Sequence, residues 1–375
     1  MGRKSRARAL SAWVNGKLAG EWRIPARGET EFRYDSGWVE SEAGRPLSLC
    51  LPLGLDTGSI KGRPVEYYFD KLLPDADLIR KRLQDRFRTA SRSAFDLLAA
   101  IGRDCVGAVQ LLRLDEQPKD VHAIEALPLS EAEVERALIQ TVSPPPFAAH
   151  PADDDFRVSS AGAREKTAFL RHEGRWCRPL GATPTTHIFK LPLGVVGGTQ
   201  ADMRSSVENE WLDIARILRG SVNRDDDPAC LLMAQLLFWM LAATDGHAKN
   251  FSIRLFSQGR FQLTPLYDVL SIWPIMGEGP DKILWRNARL AMSVRGNNKH
   301  YLLKDIRRGH FNGTAAQSGF GETAEPLIEH IPAATPRVIS SVQQDLPKGF
   351  PQHVLDTILK GLSRSAKQLE AMPAA

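Results

Sequence analysis

The sequence predicts an α+β protein with a β-rich N-terminal region and a mainly helical C-terminal part. Three observations carry this. Residues 9 to 53 alternate apolar and polar positions between turn signals, the apolar run Ala229 to Thr244 has the length of a buried helix, and helical patterning dominates from about residue 207 onward. With 375 residues, 43% hydrophobic and 25% charged, the chain has ordinary globular composition and room for two or more packed units. Wholesale disorder and a fibrous architecture are excluded.

The elements follow in order. Ala12-Trp13-Val14 runs into Asn15-Gly16, the strongest short hairpin signal, because both residues accept the positive φ of a tight turn. Phe32-Arg33-Tyr34 before Asp35-Ser36-Gly37, and then Leu47 to Leu51, read as further strands of a small antiparallel sheet. Asp75 to Arg88 places Ile79, Leu83 and Phe87 on one helical stripe. Phe95 to Ile101 reads as a short buried helix stopped by Gly102, and Gly107 to Leu112 as a strand. A linker is expected over 114–155. It contains one helix opened by the capping box Ser130 to Glu133, then Pro144-Pro145-Pro146 and Asp153-Asp154-Asp155, which favour an exposed connection. Residues 156 to 193 read as strand, tight loop, strand, hairpin and strand, with Glu173-Gly174 as the turn and Thr186 to Leu191 as the last strand. Within the helical part, Phe251 to Leu255 and Arg260 to Leu263 flank Ser257-Gln258-Gly259 as a second hairpin. The expected division is 1–113, 114–155, 156–206 and 207–375.

Composition narrows the function classes. Forty-nine Lys and Arg against 44 Asp and Glu leave a net charge of +5, which permits association with DNA without demonstrating it. A stand-alone nucleic-acid binder would rest on Arg3 to Arg8, Arg307 and Arg308, with no aromatic stacking motif beside them. Cys50, Cys105, Cys177 and Cys230 have no CxxC or Cys/His spacing, so neither a disulfide framework nor a zinc site is expected, and a reducing cytoplasm fits. No apolar segment follows the basic start, and the longest apolar stretch is short for a span and interrupted by Gln235. Neither a secretory signal nor a membrane partner is expected.

Two segments invite anionic ligands. The small, glycine-containing run Ser159-Ser160-Ala161-Gly162-Ala163-Arg164-Glu165-Lys166 lets backbone NH groups approach an anion, but it matches neither common phosphate-loop pattern and, taken alone, reads first as an ordinary hairpin loop. Lys190 ends the strand Thr186-His187-Ile188-Phe189-Lys190, where a cation either meets phosphate oxygens or extends to water.

The strongest signal is Ala243-Thr244-Asp245-Gly246-His247-Ala248-Lys249-Asn250, followed by the hairpin and Pro265-Leu266-Tyr267-Asp268. A hairpin turning near Gln258 brings Asn250 and Asp268 together. Their carboxamide and carboxylate oxygens are hard ligands suited to magnesium shared with nucleotide phosphates. Asp245, five residues earlier, is placed to accept the proton of an attacking hydroxyl. This order is that of phosphoryl-transfer sites in protein kinases. In the plainer reading Asp245, Gly246 and Asn250 are turn formers at a helix end, while His247 and Tyr267 orient the loop or pack.

Further motifs stand in register with these: Phe69-Asp70-Lys71-Leu72-Leu73-Pro74-Asp75, Phe95 to Ala108, Ser160 to Ala168, and Thr183-Pro184-Thr185-Thr186 before the Lys190 strand. Over nearly its whole length the chain resembles the HipA family of serine/threonine protein kinases, toxins of bacterial type II toxin–antitoxin modules. The resemblance implies a protein-kinase-like bilobal fold, with residues 156–206 as an N-lobe that is shortened in this chain. It implies that Ala161, Gly162, Ala163, Arg164, Glu165 and Lys166 cradle ATP phosphates and that Lys190 contacts them. His247, Ala248, Lys249, Asn250, Tyr267 and Asp268 would complete the nucleotide site, with Mg2+ on Asn250 and Asp268 and Asp245 as catalytic base. The autophosphorylated loop serine, whose modification disables the kinase, falls on Ser159. A phosphate there adds about −1.5 to −2 charge to a loop that must approach ATP. Implied partners are a HipB-like helix-turn-helix antitoxin, operator DNA through that antitoxin, and a translation component such as glutamyl-tRNA synthetase as substrate.

Two departures stand out. Arg164 replaces the family's usual glutamine. Only 55 residues lead from Lys190 to Asp245, where the family carries several tens more, including the last N-lobe strands and the hinge that clasps adenine. That leaves two readings open: a working kinase toxin, or a pseudokinase that binds antitoxin and operator without positioning ATP.

Overall fold

The computed structural model describes residues 8–54, 58–74, 76–103, 105, 108–118, 120–142, 166–180, 183–190, 210–280 and 282–374. The chain forms two compact units, one of residues 1–193 with 256–259 and the other of residues 194–255 with 260–375.

The first unit begins with β1 (Arg8–Val14) and β2 (Lys17–Ile24), joined through Asn15 and Gly16 at φ 50° and 76°, the turn that the Asn-Gly pair predicts. Next come β3 (Glu31–Tyr34), the short α1 (Ser36–Glu40) capped by the Asp35 carboxylate, β4 (Ile60–Lys61), α2 (Arg63–Asp70), α3 (Asp77–Phe87), α4 (Ala94–Ile101) and β5 (Val109–Leu112). The sheet is antiparallel in the order β4-β3-β2-β1-β5. Its core is aromatic: Trp22 stacks on Phe69 with ring centroids 3.9 Å apart, and Phe95 meets Trp22 edge-on. Burying such side chains contributes about 1.5–3 kcal/mol each. The expected stripe of α3 faces this core, with Leu83 buried and Ile79 and Phe87 packed beside it.

The expected strand Leu47 to Leu51 does not form. Tyr34 ties this segment down instead: its hydroxyl donates to the Leu51 carbonyl and accepts from the Leu47 N–H, leaving only an isolated bridge between Ser48 and Leu51. These side-chain hydrogen bonds satisfy backbone groups that a ladder would otherwise use.

A second sheet runs β6-β8-β7-β9, from β6 (Ala126–Pro128), β7 (Lys166–His172), β8 (Arg175–Pro179) and β9 (His187–Lys190). The stretch read as linker therefore contributes β6 as well as α5 (Glu131–Val142), whose reciprocal Ser130–Glu133 cap is present as expected. The β7–β8 turn uses Glu173 and Gly174 at φ 47° and 74°. Phe169, Phe189 and Trp176 pack edge to face across the sheet.

The second unit is mainly helical: α6 (Glu210–Leu218), α7 (Asp226–Met240), the hairpin β10 (Ile253–Leu255) and β11 (Phe261–Leu263), the pair β12 (Arg289–Arg295) and β13 (Lys299–Leu302), then α8 (Arg308–Ser318), α9 (Glu325–Gln344) and α10 (Gln352–Ala371). The apolar run predicted as a core helix is α7, with Leu231, Ala234, Leu236, Phe238, Trp239 and Met240 buried. Asp227 fastens the hairpin to its first turn: one carboxylate oxygen accepts from the Ser221 hydroxyl and from the Leu263 N–H at 2.7 Å. An α+β chain with a β-rich first part and a helical second part is what the sequence predicts. No helix among the described residues is long and apolar enough to cross a membrane.

Candidate active site

The loop that follows α7 is shaped by the end of that helix. Leu241 closes the last turn onto Leu237, and Ala242, fully buried, then swings to φ 49° while Ala243 N–H returns to the Phe238 carbonyl at 2.7 Å. A left-handed non-glycine residue costs about 1–2 kcal/mol. The surrounding core holds it there, and the chain leaves the helix sharply toward Asp245. Gly246 comes next because only glycine fits: a Cβ at this position would lie 2.3 Å from a ring carbon of Phe238. Phe238 in turn packs against Trp211 of α6 and Phe251, so an aromatic cluster underlies the loop.

His247 and Asn250 close a single turn on themselves. Asn250 Oδ1 accepts from the His247 N–H at 3.1 Å, and Asn250 N–H donates to the His247 carbonyl at 2.9 Å. Asn250 is 3% exposed, and its Nδ2 donates to the Asp268 carbonyl at 3.5 Å. The hairpin thus brings residues 250 and 268 together, as the antiparallel geometry requires. Its pairing extends past β10 and β11 through Thr264, whose N–H donates to the Ser252 carbonyl at 2.9 Å. Asp268 takes a left-handed backbone at φ 57° and is exposed. Left-handed residues therefore sit on both sides of the loop, at Ala242 and Asp268, and such conformations gather at functional sites.

Tyr267 does more than pack. It is 42% exposed, its hydroxyl donates to the Lys249 carbonyl at 2.7 Å, and the same hydroxyl shares a 2.7 Å hydrogen bond with Ser252. Sequence reading missed Ser252, Phe238 and Trp211 as supports of the loop. Only the glycine after Asp245 signals that a large ring lies beneath it.

Asp245 is half-buried, and among the described residues its carboxylate meets no hydrogen-bonding or ionic partner. His247 Nδ1 and Trp211 Nε1 are buried without a hydrogen-bond partner among the described residues. Asn250 Oδ1 keeps one lone pair after accepting from His247. With the Asp268 carboxylate it offers two hard oxygens, a set that fits magnesium, which takes few protein ligands and fills its octahedron with water and phosphate. No cluster of three or more His, Cys, Asp or Glu side chains able to hold a metal occurs among the described residues.

In the first unit, the register of β7 and β9 places Lys166 directly opposite Lys190. Ser159, Ala161, Gly162, Ala163, Arg164 and Glu165 lie outside the described residues. From Glu210 to Asp245 the chain forms α6 and α7 and no strand.

Comparison with known proteins bears on this arrangement. The family model for the HipA N-terminal domain matches residues 10–112, and that for the HipA-like C-terminal domain matches residues 211–339. A curated protein of Sinorhizobium fredii (strain NBRC 101917 / NGR234), named "Putative kinase Y4mE", is 26% identical over an alignment covering 70% of this chain and 77% of that relative. Among solved structures, the Shewanella oneidensis MR-1 toxin–antitoxin complex of HipA, HipB and operator DNA contains a chain with the same fold. The TM-score is 0.71 at 17% identity, over 96% of this chain and 97% of that one. The two domain matches fall on the β-rich and the helical parts in the family's order, and the structural match covers 96% of the chain; the chain belongs to the HipA family, with an α+β, kinase-like fold.

Proposed function

We propose that this protein is an ATP- and Mg2+-dependent serine/threonine kinase that acts as the toxin of a toxin–antitoxin pair. The observation that carries this reading is the Asp245 to Asn250 loop with Asn250 held against Asp268. Asp245 accepts the proton of a protein hydroxyl as its oxygen bonds to the γ-phosphorus of ATP and the bond to the bridging oxygen breaks, releasing ADP. Asn250 and Asp268 hold the metal that neutralises charge on the phosphates. Ala161 to Lys166 and Lys190 bind those phosphates, and His247, Ala248, Lys249 and Tyr267 frame the nucleotide. The acceptor is a translation component such as glutamyl-tRNA synthetase, whose modification arrests growth, and Ser159 is the autophosphorylation site. The Shewanella complex supports a HipB-like antitoxin and, through it, operator DNA as partners.

The test is incubation of the purified chain with ATP and Mg2+ beside Asp245→Asn, reading intact mass and mapping phosphopeptides. Phosphate on the wild type alone supports the assignment, and equal phosphate on both removes it. A second reading, a pseudokinase that binds antitoxin and DNA only, is favoured by the two-helix path from Glu210 to Asp245, which leaves no described strand for a hinge. Productive ATP turnover eliminates it.

A further inference from the structure

The second unit contains a cavity of about 640 Å3 with no residue of the 245–250 loop, Tyr267 or Asp268 in its wall. Its volume is that of small-molecule sites, which run from about 300 to 1,000 Å3. Two short turns and one helix face build it. The turns, Trp273–Ile275 and Trp285–Asn287, each start with a tryptophan, and the indoles stack with centroids 5.5 Å apart and planes 13° from parallel. Trp273 is fixed, since its Nε1 donates to the Met240 carbonyl at the end of α7 at 3.0 Å. The helix is α10. Gly361 lets it rest on the Trp273 ring, where a Cβ would stand 2.3 to 2.5 Å from three ring atoms.

Lys360 and Arg364, one turn apart on α10, project beside that glycine, and Arg286 follows Trp285. The Arg364 guanidinium lies 5.6 Å from the Trp285 ring centroid. None of these three cations has an ion-pair partner among the described residues. Among the described residues a single carboxylate, Glu278, stands on the same wall. The cavity therefore offers a rigid aromatic platform beside an excess of positive charge that no ion pair among the described residues neutralises. Guanidinium groups stacked on aromatic faces are arranged in advance for anions, because less side-chain freedom is lost when a ligand arrives.

We propose that this cavity binds a small planar aromatic anion, its ring against Trp285 and its negative group between Lys360, Arg364 and Arg286. An aromatic carboxylate and a nucleoside monophosphate share this chemistry.

The test uses the full chain in calorimetric titrations with 2-naphthoate, its uncharged isostere 2-naphthamide, and AMP. The wild type is compared with Trp285→Leu, Arg286→Gln and the double variant Lys360→Gln/Arg364→Gln, each checked for unchanged thermal unfolding. Expected is one naphthoate per chain, bound about tenfold or more tighter than naphthamide. The double variant loses that advantage without losing naphthamide, Trp285→Leu weakens both, and Arg286→Gln gives an intermediate loss should the double variant fail to fold. AMP binding that falls in the same charge variants identifies a phosphate ligand as accepted. AMP unaffected by them, with naphthoate lost, restricts the site to carboxylates. Equal affinity for naphthoate and naphthamide, or naphthoate binding indifferent to the charge variants, overturns the proposal.

Discussion

Gly246→Ala perturbs the Asp245–Asn250 loop through a single methyl group. The added Cβ would sit 2.3 Å from Phe238 Cδ2 and 2.4 Å from Cε2, whereas carbon atoms rest about 3.5–4.0 Å apart. More than about 1 Å of movement is required. Phe238 has little freedom to supply it, being 1% exposed with Trp211 and Phe251 at centroid distances of 6.0 and 5.9 Å. The loop yields instead. Overpacking of this kind costs about 1–3 kcal/mol, and a displacement of about 1 Å at reacting groups costs about 100-fold in rate. Urea unfolding measures the first effect, and phosphotransfer at saturating ATP the second. Phe238→Leu alone leaves a void, but in the Gly246→Ala background it relieves the clash, so the double variant is more stable than the two single losses predict. A Gly246→Ala protein with the wild-type unfolding midpoint and rate, or additive losses in the cycle, would falsify the packing argument.

Further outcomes follow from the same geometry. Tyr267→Phe removes a hydroxyl that bridges Lys249 and Ser252, so stability falls by about 1 kcal/mol and the loop amides from 247 to 250 exchange faster with deuterium. Glu325 accepts from Arg308 and, at 2.7 Å, from Asn312 Nδ2, and the Arg308 hydrogen bond is the main reason its carboxyl titrates below the usual range. The folded value lies below the unfolded one, so this stabilisation is complete above about pH 4.3 and is lost as pH falls through the folded value. Glu325→Gln flattens that acid limb and destabilises by about 2–4 kcal/mol at neutral pH, as read by guanidinium unfolding. His310 is stacked on His300 at 3.6 Å and accepts the Arg307 N–H at Nδ1; burial, then the charges of His300 and Arg307, lower its titration. Its preference for the neutral form makes stability decline as pH falls below about 6.5, and His310→Gln removes that slope.

The parts of the fold legible in sequence are those set by local chemistry. Asn15-Gly16 and Glu173-Gly174 turn where their residues accept positive φ, and Ser130 with Glu133 caps α5. Gly102 ends α4. Leu47 to Leu51 failed as a strand because a hydroxyl thirteen or more residues away fixes its backbone, and no local pattern encodes that. β6 escaped notice because three residues, Ala126–Pro128, are too few to show alternation. At the loop, the proximity of Asn250 to Asp268 was readable from hairpin geometry. The aromatic bed of Trp211, Phe238 and Phe251 was not, since it joins three separate segments. In the first unit the motif residues Phe69 and Phe95 are core side chains, and Asp70 and Asp96 form ion pairs with Arg80 and Arg8. In this chain these motif residues thus pack the core and pair its charges.

The proposed role of Asp245 is tested most directly by one comparison of intact masses after incubation with ATP and Mg2+. The wild type is expected to gain phosphate on Ser159, while Asp245→Asn stays unmodified with unchanged thermal unfolding and unchanged nucleotide binding. Phosphate on Asp245→Asn equal to that on the wild type contradicts the assignment of the base. A wild type that neither gains phosphate nor binds nucleotide contradicts the kinase reading as a whole.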